Sequence, residues 1–254
     1  MRANQTWVEA VDHVFHQYEN IVSPRGQEVR EVNQAIYTVD WNYPVVTNKS
    51  RNLNYKFMFG EAAWILSGSN DVETISSYMK SYAKFSDDNV TLNGAYGPKI
   101  IDQMSWAAKE LAKDNDTRRC YINIWRERPG ESKDIPCTVG MQFMIRDGKL
   151  NLFVNMRSQD VVLGMPYDIF SFSMIAKAMQ LMLYKTHDIA VVPGELKVTV
   201  NSLHIYEQHY ADVADWLTCD CHRFAVDTNL SEKISNCLTP SELIQGLREL
   251  AELW

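Results

Sequence analysis

The chain has 254 residues, 46% of them hydrophobic, so it can bury a sizeable core, and one domain spanning 1–254 is the expectation. Its formal net charge of -7, from 32 acidic and 25 basic residues, argues against a nucleic-acid surface and leaves room for a small anion held by a few arginines. The N-terminus MRANQTWVEAVDHVF lacks an apolar secretory core, and no run reaches membrane-helix length, so a cytoplasmic protein with no membrane contact is expected. Five cysteines, Cys120, Cys137, Cys219, Cys221 and Cys237, are an odd number that fits a reducing compartment. Cys219-Asp220-Cys221-His222 is one residue short of the usual zinc spacing, so ordinary thiols and no metal are expected there.

Residues 6 to 20 place Trp7, Val11, Val14, Phe15 and Tyr18 at helical spacing, and Ser23-Pro24-Arg25-Gly26 ends that helix in a turn. Arg25 has two readings, a solvent-facing turn charge or an arginine that closes over an anion. Residues 27 to 40 read as extended, with Val29, Val32, Ile36, Tyr37 and Val39 inward. KFMFGEAAWIL, 56 to 66, reads as a buried helix containing Trp64, and a carboxylate such as Glu61 enters such a helix either with a structural partner or for a task. Ser67-Gly68-Ser69-Asn70 breaks it, a helix resumes over 72 to 85, and Leu92 to Gly97 is a turn-rich loop. Residues 101 to 112 form an amphipathic helix with Met104, Ala107, Ala108 and Leu111 inside.

Arg118 and Arg119 then enter a strand over 120 to 125, where neighbours project in opposite directions, so one chain's pocket can use at most one easily. A polar loop over 126 to 136 delivers Cys137. Two alternating runs hinge at Asp147-Gly148, the tract Met156-Arg157-Ser158-Gln159-Asp160 follows, and a Gly-Met-Pro-Tyr-Asp turn ends at Asp168. A thiol, an arginine and a carboxylate at that spacing suit one pocket. Ile169 to Tyr184 reads as a long buried helix and Glu195 to Leu203 as a strand, after which His204 and Tyr206 share a side. Past Trp216 organisation is lost until Thr239-Pro240-Ser241-Glu242 starts a final helix over 241 to 253, with Leu243, Ile244, Leu247 and Leu250 on one side. Strands alternating with long buried helices imply one mixed α/β layer domain.

The series Glu61, Tyr96-Gly97, Arg118-Arg119, Pro136-Cys137, Arg157-Ser158-x-Asp160, Gly164-x-Pro166-Tyr167-Asp168 and His204-Ile205-Tyr206-x-x-His209 resembles the thymidylate synthase superfamily over roughly residues 6 to 217. The resemblance implies an α/β (α+β) three-layer fold whose mixed sheet forms a homodimer interface, with a divergent region from about 218. It implies that Arg25, Arg157 and Ser158 hold a nucleotide 5'-phosphate while Arg118 and Arg119 reach across from the partner. His204 and Tyr206 would bind the deoxyribose 3'-hydroxyl. Cys137 would be the nucleophile, Glu61 the proton relay, and Tyr96 would line the proton-abstraction side. Asp160, Leu163, Gly164, Trp64 and Asn70 would lie on the side of the folate, 5,10-methylenetetrahydrofolate.

Two departures set the expected substrate. The synthases end the Gly-x-Pro-Tyr/Phe turn with asparagine, which suits uracil; here Asp168 can accept from the cytosine amino group and share a proton with N3. Thr138 stands where the synthases have histidine. Both changes, with Val154-Asn155-Met156-Arg157-Ser158 and Ser202-Leu203-His204-x-Tyr206, look like the deoxycytidylate hydroxymethylases of bacteriophages that put modified cytosine into DNA. The C-terminal Leu250-Ala251-Glu252-Leu253-Trp254 does not match the closing tail of the synthases. The implied reaction is 5-hydroxymethylation of dCMP. The alternatives are dCMP 5-methylation yielding dihydrofolate, a CMP-specific hydroxymethylase and a non-catalytic nucleotide-binding homologue.

Overall fold

The computed structural model describes residues 1–254 apart from Pro129. Its first half contains α1 (Ala3–His16), β1 (Asn20–Val22), β2 (Val29–Asp40), α2 (Tyr55–Leu66), α3 (Val72–Tyr78), α4 (Gly97–Lys113) and β3 (Tyr121–Asn123). The second half adds β4 (Thr138–Arg146), β5 (Lys149–Met156), β6 (Gln159–Asp160), α5 (Met165–His187), β7 (Val192–Tyr206), α6 (Val213–Thr218), α7 (Ala225–Ile234) and α8 (Pro240–Leu253).

The sheet is mixed, in the order β1-β2-β7-β5-β4-β3, with β6 on the edge of β7. Turn chemistry sets its hairpin: Asp147 and Gly148 both take positive φ, 51° and 70°, the two-residue loop whose twist matches β4 and β5. β5 and β7 run parallel and therefore need a crossover, which α5 supplies. Apolar on nearly every side, α5 is buried along almost its whole length and packs beneath β5 and β7. α1 lies on β2, α2 lies on α5, and α8 packs against both α2 and α5, so helices cover one face of the sheet in tiers. α4 begins tightly against the end of α2: a Cβ on Gly97 would meet the Ser69 carbonyl oxygen at 2.7 Å.

Several boundaries differ from the sequence reading. The first helix stops at His16, leaving Tyr18 38% exposed. Ile36 is not inward but 64% exposed, because Gln34 takes a left-handed φ of 53° and reverses the strand's alternation. Arg30 and Val32 face the helices before it, and Ala35, Tyr37 and Val39 after it. β7 reverses phase opposite, from Leu196, Val198 and Val200 to Leu203 and Ile205, so the β2–β7 register is unbroken. The helix expected over 72 to 85 breaks at Met79 (φ -147°) into α3 and a 3-10 turn over Lys80–Phe85. α5 starts at Met165 rather than Ile169, with Pro166 in its first turn, so Asp168 lies inside the helix rather than ending a turn. The region past Trp216 is also more ordered than expected, since α7 buries Val226 and Leu230.

No helix among the described residues is long and apolar enough to cross a membrane.

Candidate active site

A cavity of about 410 Å³ opens between α2, the Lys80–Phe85 turn, the loop before α4, the loop before β4 and the start of α5. Arg25, Glu61, Trp64, Tyr96, Cys137, Arg157 and Asp168 all line it. Three bonds from Arg157 hold the Cys137 segment in place: its Nε donates to the Pro136 carbonyl (2.9 Å), its Nη2 to that of Ile135 (3.0 Å), and its backbone N–H to that of Cys137 (2.9 Å). Asp134 fixes the opposite wall by accepting the Gly94 N–H at 2.6 Å. Arg25, with a left-handed φ of 56°, overhangs the opening from an exposed turn.

Burial dominates the electrostatics. It pushes the Cys137 thiol above its ordinary value, while the positive charges of Arg157 and Arg25 pull it back and Asp168 and Asp134 oppose them. Burial also lifts Glu61 to about 8, against the lowering effect of the Tyr82 hydroxyl, which donates to its Oε1 at 2.6 Å. Asp168 is lifted to about 6, again by burial, with the Gln159 hydrogen bond lowering it and Asp160 raising it. At neutral pH Glu61 is therefore mostly protonated and Asp168 mostly ionised. Two carboxyls held apart in this way can play acid and acceptor within one site. Tyr96 is raised well above its usual range by burial, then by Asp168 and Cys137, and stays a neutral hydroxyl.

The other residues singled out in the sequence lie off this lining. Ser158, Asp160 and Gly164 continue from Arg157 along β6 into α5, and β6 pairs Asp160 with His204 of β7. Asp160 Oδ1 accepts the Val162 and Leu163 N–H groups at 2.7 and 2.9 Å; its Oδ2 is buried without a partner among the described residues. Leu163 is 49% exposed. The rings of His204 and Tyr206 stack edge to face, 5.3 Å apart, at the end of β7. Asn70 offers its carbonyl to the Leu92 N–H at 2.9 Å. Arg118 and Arg119 are exposed at the start of β3, away from the cavity of their own chain. Thr138 is fully buried, and its Oγ1 has no partner among the described residues. Among the described residues no cluster of three His, Cys, Asp or Glu side chains could hold a metal ion, and Cys221 is exposed.

Sequence reasoning passed over three participants. Tyr82 fell inside the helix expected over 72 to 85, Tyr37 among the inward residues of a strand, and Gln159 in the polar tract between Ser158 and Asp160. No periodicity marks them, because each acts through a contact distant in sequence: Tyr82 on Glu61, and Tyr37 on Gln159 at 2.8 Å.

The structure is thus an α/β protein in which a half-buried thiol, two arginines and two carboxyls of opposite protonation share one cavity beside a mixed sheet. The chain belongs to the thymidylate synthase family, whose profile matches residues 5–237. A curated relative, the deoxyuridylate hydroxymethyltransferase of Bacillus phage SP01, is 29% identical over 214 residues, covering 75% of this chain and 54% of the relative. The chain thus spans about half the length of the curated relative it matches.

Proposed function

We propose that this protein transfers a one-carbon unit to carbon 5 of dCMP and that water completes the product as 5-hydroxymethyl-dCMP. The observation that carries this reading is Asp168, an ionised carboxylate lining the same cavity as Cys137 and Arg157. A carboxylate repels uracil O4 but accepts from the cytosine amino group. The relative's name supports hydroxymethylation over methylation; it also names a uridylate substrate, and Asp168 is the feature that argues for cytidylate here.

Arg157 and Arg25 bind the 5'-phosphate with Ser158, and Arg118 and Arg119 complete that grip from a second copy. His204 and Tyr206 take the deoxyribose 3'-hydroxyl. With its proton removed, the Cys137 sulfur adds to carbon 6, and the displaced electron pair makes carbon 5 nucleophilic. Arg157 and Arg25 favour the thiolate this step needs. 5,10-Methylenetetrahydrofolate supplies the one-carbon unit. Trp64, whose Nε1 donates to the Asp71 carbonyl, and Asp160, whose buried Oδ2 lacks a donor among the described residues, would hold its ring. Leu163, Gly164 and Asn70 complete that side. Glu61, protonated at neutral pH and coupled to Tyr82, relays protons and orders the water that ends the reaction; Tyr96 lines the face from which the carbon 5 proton leaves. The 254 residues act as one catalytic unit, and two copies pair through the outer sheet face, where Ile36 and Tyr121 are 64% and 37% exposed.

Incubation with methylenetetrahydrofolate and either dCMP or dUMP, followed by mass analysis of the nucleotide, tests this. dCMP heavier by one CH2O unit is expected. A gain of one CH2 with appearance of dihydrofolate, or conversion of dUMP in preference to dCMP, would overturn it.

A further inference from the structure

Behind Asp168 lies a buried relay that the proposed reaction does not use. Tyr37 of β2 is 8% exposed and Gln159 of β6 only 2%. The Tyr37 hydroxyl lies 2.8 Å from Gln159 Oε1, and Gln159 Nε2 lies 2.8 Å from Asp168 Oδ2. An ionised carboxylate only accepts hydrogen bonds, so the nitrogen of Gln159 must face it, the amide oxygen must face Tyr37, and the Tyr37 hydroxyl must donate. Every direction in the chain is thereby fixed. Oδ2 is engaged and Oδ1, which has no partner among the described residues and is not sealed off, remains for the cavity.

We propose that Gln159, locked by Tyr37, is a positioning residue that decides which hydrogen-bonding polarity position 168 turns toward the pyrimidine, and so sets the choice between cytosine and uracil. This rests on the reading of Asp168 as the group that meets the ring. With Gln159 donating to Oδ2, a proton taken up by Asp168 resides on Oδ1, since a protonated oxygen is a poor acceptor for the Gln159 N–H. In Asp168→Asn the same N–H draws the amide oxygen to itself and turns the NH2 toward the ring, a donor suited to uracil O4. Combining Gln159→Glu with Asp168→Asn inverts that polarity. The carboxylate introduced at 159 accepts the amide N–H and leaves the amide oxygen facing the ring, an acceptor suited to the cytosine amino group. Tyr37 supports either arrangement by donating to the oxygen on its own side.

The test is kcat/KM for dCMP and for dUMP, with methylenetetrahydrofolate, in the full-length protein and its variants. A ratio taken within one variant is independent of its folded fraction. Asp168→Asn alone is expected to favour dUMP, and adding Gln159→Glu to move the ratio back toward dCMP by about tenfold. Tyr37→Phe, which frees the Gln159 amide to turn over, is expected to reduce the wild-type ratio by about threefold. The pH dependence gives a second readout. The titratable groups coupled to Asp168 are Tyr37, Glu61, Tyr82, Tyr96, Cys137 and Asp160. All of them remain in Gln159→Leu, which removes the N–H donated to Asp168 together with the amide oxygen that Tyr37 meets; losing that N–H leaves the carboxylate less stabilised, so the pH midpoint of the substrate ratio is expected to move upward. A merely structural role for Gln159 would scale both substrates together and leave ratio and midpoint unmoved. If Asp168→Asn and the double variant share one ratio while the wild type prefers dCMP, the relay is overturned and the base reading stands. If the wild type prefers dUMP, the base reading falls and the relay proposal with it.

Discussion

Glu61 shows how one residue ties stability to chemistry. Its ordinary value near 4.5 rises to about 8 because burial in α2 penalises the charge more than the Tyr82 hydroxyl relieves it. Between those values the folded chain keeps a proton that the unfolded chain releases. The contribution is therefore complete below about 4.5 and is lost as pH rises through about 8. Glu61→Gln is expected to flatten the fall of Tm with pH across that window while lowering kcat about 100-fold, the loss expected of the proposed proton relay. Melting curves from pH 5 to pH 9 check the first part; a wild-type slope retained in the variant would contradict it. For the proposed nucleophile, Cys137→Ser is expected to abolish turnover while leaving dCMP binding, since Arg25 and Arg157 remain. At this scale the sequence was readable where chemistry needs an unusual residue type. A thiol after proline and a lone carboxylate in an apolar helix are conspicuous. Gln159 was not, because a glutamine in a polar tract carries no signal until folding places it between Tyr37 and Asp168.

At the scale of elements, the legible parts were those with a strong period or a capping signal. α4 buries the expected Met104, Ala107, Ala108 and Leu111, and α8 starts where its box announces it. There Thr239 Oγ1 accepts the Glu242 N–H at 3.2 Å and Glu242 returns a bond to the Leu238 N–H at 2.7 Å. What was not legible depends on partners. Ile36 was placed inward by alternation, and a left-handed Gln34 turned it out. α7 lacks a strong apolar stripe; it buries Val226 and Leu230 and packs against α8. The docking of α8 on α2 lends the site stability from a distance, since α2 carries Glu61 and Trp64. Leu247 is fully buried there, and Leu247→Ala is expected to cost about 2–5 kcal/mol in denaturant unfolding. Thr239→Ala, which removes only the cap, should cost about 1 kcal/mol. Equal costs would mean that α8 is not packed as described.

Across the whole molecule, the mixed sheet with α5 beneath it brings residues from Arg25 to Ser171 around one cavity. Spacing in the sequence suggested the Cys137 to Asp168 pocket, and the crossover geometry explains it: β4, β5 and α5 converge where the chain leaves and re-enters the sheet. Arg118 and Arg119 do not line it, as their proposed donation to a second copy requires. Mixing inactive Cys137→Ser protein with an inactive Arg118→Ala/Arg119→Ala variant is expected to restore activity, up to about a quarter of the wild-type sites, because half of each mixed dimer is intact. No recovery after subunit exchange would place those arginines elsewhere. The central claim, carbon 5 substitution on dCMP through Cys137, is tested most directly by release of tritium from dCMP labelled at carbon 5. The account predicts release that requires methylenetetrahydrofolate, exceeds that from labelled dUMP, and vanishes in Cys137→Ser. Faster release from dUMP, or undiminished release in Cys137→Ser, would contradict it.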